Sequence, residues 1–235
     1  MAIFSCGCAK KDPVPEMIHF AICADYPPFE YVSHGEFIGF EVDLARRIAM
    51  ELGRVAIFHD MAFASIFPAL KNGFADAAIS AIAATRERQI AYTLTPTYFQ
   101  ERLFAVFDMS KRVDGKESLA GQKVACQLGS TMEIWVRQNV PEAKIITLDT
   151  SNQGIEMLKA GHVYAVILDG PQAKAFSAQN ASLRYTHLAD SAEGYAVAFP
   201  KGSRLARPVR ALITRFVGDG TIDELKQKWG LNDPT

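Results

Sequence analysis

Apolar residues follow two different spacings along the chain, and their alternation predicts an α/β fold. Continuous apolar runs over Ile18 to Cys23 and Ala75 to Ala83 are typical of buried strands. Between them, Phe40, Leu44 and Ile48 recur every four residues and predict a helix with one buried face. A further strand at 55–58 and a short helix at 64–71 give a β-α-β-α-β order. This order favours a mostly parallel sheet flanked by helices.

The pattern restarts after residue 98 and predicts a second lobe. Strands are expected at 103–107, 124–127, 144–148, 163–168 and 182–187. Ser130 and Glu133 have the spacing of a capping box at the start of one helix, and Thr221 and Glu224 have it at the start of another. Further helices are expected at 153–159, 171–178 and 207–217.

The chain passes between the two patterns twice, which predicts a hinge. We assign residues 17–99 and 197–235 to lobe 1 and residues 104–192 to lobe 2. The hinge segments are then 100–103 and 193–196.

Composition limits the function without defining it. The 235 residues are 49% hydrophobic, and the formal net charge is −1. This balance supplies no basic stripe for nucleic acid and is compatible with a small ligand. The five histidines lack metal-ligand spacing, and the sequence has no P-loop and no Gly-x-Ser-x-Gly motif. We therefore predict no cofactor and no catalytic group.

The first 16 residues have the pattern of a processed export segment. Cys6 follows the small residue Ser5, as at the end of a bacterial lipoprotein signal, and the following lysines and prolines are typical of a tether. Zinc binding by Cys6 and Cys8 is the weaker alternative, because no second pair of ligands follows at zinc-site spacing. The expected location is the periplasm or the outer face of a bacterial membrane, with Cys6 as a candidate lipid anchor.

The sequence from Thr85 to Arg88 is the most informative segment. Thr85 follows the apolar run 75–83 and is a good helix N-cap, and Arg88, three residues later, can bind a carboxylate with its guanidinium. With the earlier Gly39 to Ala45 segment, this order and spacing resemble the extracytoplasmic amino-acid-binding proteins of ABC transporters, solute-binding protein family 3. The resemblance runs from about residue 18 to residue 231. It implies a two-lobed periplasmic binding protein-like fold of type II, with two crossing hinge strands.

The resemblance also assigns ligand-binding roles. It places Arg88 on the ligand α-carboxylate, helped by backbone N–H groups, and Asp169 with Ser80 on the α-ammonium. Tyr26 and Phe63 would form the walls of the ligand pocket. The full set of expected ligand-binding residues is Tyr26, Phe63, Ser80, Ala81, Ala83, Arg88, Gln127, Ser130, Thr131 and Asp169.

The residues alone leave simpler roles open for several of these side chains. Tyr26 and Phe63 are also compatible with ordinary core packing, and Arg88 with a solvated surface. Asp169 precedes Gly170 and Pro171, which is the pattern of a helix N-cap.

The implied function is capture of a free L-amino acid and its delivery to the membrane permease subunits of an ABC transporter, by a monomer without enzymatic activity. A basic amino acid, arginine first, is favoured because two facing aromatic rings suit a flat guanidinium. Cys23 stands where lysine- and arginine-binding relatives often have aspartate, so Glu30 or Asp25 would supply the charge. The alternatives are a secreted cyclohexadienyl or arogenate dehydratase on the same fold, which would need a general acid, and a ligand-sensing domain.

Overall fold

The computed structural model describes residues 16–231. The lipidated Cys6 and all but the last residue of the tether expected at residues 1–16 lie outside these residues. Two five-stranded sheets, each flanked by helices, form two lobes. The prediction of a two-lobed α/β fold is therefore confirmed.

The first lobe is built mainly from the N-terminal half of the chain. Its elements are β1 (Met17–Ile22), β2 (Asp25–Tyr26), β3 (Glu30–Ser33), β4 (Glu36–Ile38), α1 (Phe40–Glu51), β5 (Val55–Asp60), α2 (Phe63–Lys71), β6 (Ala77–Ala78), α3 (Arg86–Ala91) and β7 (Thr93–Leu94). The main sheet has the order β5-β1-β6-β13-β7, where β13 (Ala198–Phe199) returns from the C-terminal part. Strands β5, β1 and β6 are parallel, as the β-α-β pattern predicts.

The second lobe repeats this architecture. It contains β8 (Phe99–Asp108), a 3-10 turn (Lys116–Leu119), β9 (Lys123–Gln127), α4 (Thr131–Asn139), β10 (Lys144–Leu148), α5 (Ser151–Lys159), β11 (Ala165–Asp169), α6 (Gly170–Gln179) and β12 (Leu183–Tyr195). Its sheet order is β10-β9-β11-β8-β12. Helices α7 (Ala206–Gly218) and α8 (Thr221–Lys228) end the described chain, and their buried residues pack in the core of the first lobe.

The two crossing strands lie side by side. β8 and β12 are antiparallel neighbours, and their register pairs Gln100 with Gly194 and Phe99 with Tyr195. A Cβ atom at Gly194 would lie 2.5 Å from the carbonyl oxygen of Phe99, so only glycine allows this approach. The close pairing joins the lobes through a narrow two-stranded connection.

Two local predictions for the first lobe differ from the structure, and one feature of that lobe was not predicted. The apolar run 75–83 forms a strand only at β6, and the residues after it turn away from the sheet, with Ala81 at φ 45°. Thr221 does not cap α8, because the left-handed Gly220 occupies the N-cap position and the Thr221 hydroxyl donates to Asp219. The small sheet β2-β3-β4 was not predicted. Its hairpin turn uses positive φ angles at His34 and Gly35.

Candidate functional site

A small cavity lies between the lobes. The first lobe reaches it with residues that follow the carboxyl ends of β1 and β6, which is where ligands bind in open α/β sheets. The second lobe reaches it with the residues around the start of α4. The lining residues are Cys23, Tyr26, Glu30, Phe63, Ser80, Ala81, Arg88, Glu101, Gln127, Ser130, Thr131 and Met132.

Arg88 is held in the cavity wall by its own helix start. The Thr85 side chain accepts from the backbone N–H of Arg88, as expected for an N-cap. The Arg88 guanidinium donates to the carbonyl of Ala83 at 2.9 Å and to the carbonyl of Gly129, in the other lobe, at 3.1 Å. The Cζ atom of the guanidinium lies 5.6 Å from the ring centre of Phe63. Arg88 is therefore a buried, oriented cation, and burial lowers its pKa.

Arg86 lies two residues away and is exposed to solvent. One arginine of the motif is therefore buried and the other exposed, because residues two positions apart lie on different faces of a helix.

Glu30 brings a carboxyl group to another part of the cavity wall. Its Oε1 accepts from the Ser80 hydroxyl at 2.8 Å, and the Ser80 oxygen accepts from the backbone N–H of Cys23. Glu41 lies behind Glu30 and accepts from the backbone N–H of Ala81 at 2.8 Å, which holds Ala81 in its positive-φ conformation. Burial and the charge of Glu41 raise the pKa of Glu30 well above its usual value.

Asp25, the other carboxyl considered from the sequence, does not line this cavity. It faces the second lobe instead, where its Oδ2 accepts from the backbone N–H of Ser151 at 2.9 Å, at the start of α5. Burial raises its pKa. Of the two candidates, only Glu30 is placed to meet a ligand in the cavity.

The second lobe contributes the loop between β9 and α4. Ser130 is the N-cap of α4 and accepts from the backbone N–H of Glu133. Glu133 itself accepts from the backbone N–H of Gly129, not from that of Ser130, so the predicted capping box is only half formed. Gly129 has φ 78°, a conformation that favours glycine. The loop places the side chains of Ser130 and Thr131 in the cavity wall.

Glu101 is the site residue that sequence reasoning missed. It lies on β8, is 1% exposed, and accepts from the Thr131 hydroxyl at 2.6 Å. Burial raises the pKa of Glu101 to about 7, despite the Thr131 and Ser191 hydroxyls, which lower it. The available signal was a charged residue within a strand that is otherwise apolar on its buried face.

Asp169 lies at the carboxyl end of β11, fully buried next to the cavity but not among its lining residues. One oxygen accepts from the backbone N–H of Gln172 at 2.9 Å, so the N-cap role is present. The other accepts from the Tyr195 hydroxyl at 2.8 Å, and the Tyr26 hydroxyl is a further partner. Burial raises the pKa of Asp169 to about 6.

The structure thus brings together most of the residues singled out from the sequence. Eight of the ten line one cavity, and the exceptions are Asp169 and Ala83. Asp169 lies behind the hydroxyl group of Tyr26, and the carbonyl of Ala83 accepts from Arg88. Cys23, which stands where lysine- and arginine-binding relatives often have aspartate, and Met132 also line it.

Other kinds of site find no support in the described part of the chain. Within residues 16–231 there is no group of three or more His, Cys, Asp or Glu side chains arranged for a metal ion. No helix in that range has the length and apolar character needed to cross a bilayer.

The chain is similar to proteins of one family over nearly all its described length. The sequence profile of the bacterial extracellular solute-binding proteins, family 3, matches residues 18–232. The glutamine-binding protein GlnH of an ABC transporter of Bacillus subtilis is 28% identical over 86% of this chain and 76% of its own length. The arginine-binding extracellular protein ArtP of the same organism is 27% identical over 97% of this chain and 92% of its own length.

Solved structures agree with the sequence matches. An ancestral arginine-binding protein bound to glutamine superimposes with a TM-score of 0.88 and 31% identity, over 93% of this chain and all of that one. The relatives therefore share both the sequence pattern and the two-lobed architecture.

Proposed function

The chain belongs to the bacterial extracellular solute-binding proteins, family 3, and from this premise we propose that its cavity captures a free L-amino acid, with arginine or another basic amino acid favoured. The observation that carries the proposal is one cavity that joins a buried guanidinium, Arg88, with the carboxyl group of Glu30. No salt bridge connects these two side chains in the described structure. Both are thus placed to pair with a ligand that carries opposite charges at separate points.

The head group of the ligand has complementary partners on both lobes. Arg88 would hold the α-carboxylate, with the Thr131 hydroxyl and the N–H groups at the start of α4, where the helix dipole favours an anion. Asp169 would hold the α-ammonium with help from Ser80. Because Asp169 now accepts from two tyrosine hydroxyls, the ammonium would replace or share these hydrogen bonds.

The side-chain end decides between arginine and glutamine. A guanidinium beside Glu30 would stabilise the ionised carboxylate, which burial otherwise disfavours. The Phe63 ring provides an aromatic face, although Arg88 already lies near it. Relatives named for arginine and for glutamine both occur, so the countercharge of Glu30 is the feature that favours a cationic side chain.

The proposal extends to the cellular role. The protein would deliver its amino acid to the permease subunits of an ABC transporter, as a monomer at the extracytoplasmic face of the membrane, with Cys6 as a candidate lipid anchor and no catalytic step. Residues 100–103 and 193–196 would act as the hinge. The relatives reported above are named as binding proteins, so they give no support to the dehydratase alternative.

A thermal-shift screen against the twenty amino acids and ornithine tests the proposal. A ligand at a hundredfold its Kd adds about 2.7 kcal/mol to the free energy of unfolding. The largest shift is expected with arginine. The absence of a shift with every compound would refute amino-acid binding, and formation of phenylpyruvate or phenylalanine on incubation with prephenate or arogenate would show an enzyme instead.

A further inference from the structure

The hydroxyl group of Thr131 has one hydrogen to donate, and a bound amino acid would give it a second carboxylate acceptor besides Glu101. In the structure it donates to Oε1 of Glu101 at 2.6 Å. In the proposed binding mode, the same hydroxyl donates to the α-carboxylate of the ligand. A hydroxyl has one donor hydrogen and accepts through its lone pairs, so it cannot donate to both carboxylates at once.

The conflict disappears when Glu101 carries a proton. We propose that Glu101 takes up a proton from solvent when the amino acid binds, and donates a hydrogen bond to Thr131, which then donates to the ligand carboxylate. An O–H bond forms on Glu101 as the corresponding O–H bond of a hydronium ion in solvent breaks, and two hydrogen bonds reorient. The inference rests on the proposed function, because it requires a carboxylate ligand at Thr131, and it makes amino-acid capture a proton-coupled event.

The surroundings of Glu101 favour this arrangement. Glu101 is 1% exposed, and burial outweighs the stabilising effect of the Thr131 and Ser191 hydroxyls on its charge, so the ionised form is poorly solvated. The charged and titratable groups that face it come from four other elements. These are Arg88 at the start of α3, Asp169 at the end of β11, Tyr26 on β2 and Tyr195 on β12.

Among those four groups, Arg88 is the one cation, and the ligand carboxylate would engage it. The ligand then places a new negative charge within reach of a hydroxyl that already touches Glu101. Two neighbouring carboxylates cannot both ionise without a large penalty, so the proton affinity of Glu101 rises on binding. The Glu101 pKa of about 7 before binding puts this change near neutral pH.

Calorimetry with L-arginine and with L-glutamine tests the inference on the parent and on Glu101→Gln. The glutamine amide donates to Thr131 at every pH, as protonated Glu101 would. The affinity of the parent relative to the variant should fall about 15-fold between pH 7 and pH 8.5, the result expected when a group of pKa near 7 must be protonated. At pH 7.5 the parent should take up about 0.75 proton more than the variant, measured in buffers of different ionisation enthalpy.

This comparison isolates Glu101, because every other titrating group is common to both proteins. Glu142→Gln is the matched control: it removes the same charge from an exposed position of the second lobe that does not line the cavity. It should keep the pH dependence of the parent. If Glu101→Gln does not fold, the ¹³C shift of the Glu101 carboxyl in the parent, followed with and without arginine at pH 7.5, reports its protonation directly.

Three results overturn the inference. The first is tight binding with equal pH dependence in the parent and in Glu101→Gln. The second is loss of binding in that variant at every pH, which would make Glu101 the countercharge of the ammonium. The third is a ¹³C shift that remains that of a carboxylate after binding. If no amino acid binds at any pH, the proposed function itself is refuted. Binding of an amino acid without proton uptake refutes only this inference.

Discussion

The replacement Asp169→Asn should weaken ligand binding and yet stabilise the fold at neutral pH. Asparagine keeps an oxygen that can accept from the Gln172 N–H, and it is an equally good N-cap residue. It cannot ionise, however, and so avoids the cost of a buried carboxylate with tyrosine hydroxyls as its side-chain partners. The variant therefore separates the role of Asp169 in the fold from its proposed role on the α-ammonium.

The sign and size of the effect follow from the pKa. The folded protein raises the pKa of Asp169 from 3.8 to about 6, so between these values the native state binds more protons than the unfolded chain. Its free energy of unfolding consequently falls as pH rises through that interval, by about 3 kcal/mol for this residue. The Asp169→Asn variant has no carboxyl group at this position and does not lose this stability. Its free energy of unfolding should equal that of the parent near pH 4 and exceed it by up to about 3 kcal/mol at pH 7.

Denaturant unfolding at pH 4, 5, 6 and 7 measures the difference between the two proteins. Asp108→Asn is a control of opposite sign, because hydrogen bonds from Ser110 lower the pKa of the half-buried Asp108. It should gain nothing at pH 7. An Asp169→Asn variant that is less stable than the parent at pH 7, or that shows the same pH slope, would refute the reasoning.

Further predictions concern the cavity and the lobes. Arg88→Met should weaken arginine binding about 30-fold to several thousandfold, equivalent to about 2–5 kcal/mol, and should also lower the melting temperature, because Arg88 donates to carbonyls on both lobes. In calorimetry, the control Arg86→Met, at an exposed position, should bind arginine within a few fold of the parent. If Arg86→Met lost binding and Arg88→Met kept it, the assignment of Arg88 to the carboxylate site would be wrong. Glu30→Gln should weaken arginine binding more than glutamine binding; equal losses in a competition assay would argue against a cationic side chain beside Glu30. Saturating arginine should lower the radius of gyration in small-angle scattering, since the lobes join through two strands, and an unchanged value would argue for a rigid molecule.

Local sequence signals predicted the elements whose formation depends on neighbours in the chain. The four-residue spacing of Phe40, Leu44 and Ile48 reports a helix face directly, and all three are fully buried in α1. The cap at Thr85 and the burial difference between Arg86 and Arg88 follow from helical geometry alone.

The missed features depend on contacts between distant segments. Glu101 is a site residue only because β8 passes the start of α4, 30 residues later in the chain, and no local pattern encodes that approach. Asp25 was one of two candidates for the ligand countercharge, yet it lies against α5, more than 120 residues away. Thr221 shows that a local motif can also mislead: its spacing to Glu224 fits a capping box, but the left-handed Gly220 occupies the N-cap position.

The hydrogen bonds that cross between the lobes are made by the protein itself. Asp25 accepts from the Ser151 N–H, Arg88 donates to the Gly129 carbonyl, and Gln127 lies 3.5 Å from the Cys23 sulfur. When a ligand binds only the form in which the lobes meet, its apparent Kd equals the intrinsic Kd divided by the fraction of molecules already in that form. Asp25 lies outside the cavity, so a change there resets uptake affinity while the choice of amino acid stays the same. The apparent Kd of such a binding protein can in this way be adjusted to scarce or abundant amino acid through residues that the bound amino acid does not contact.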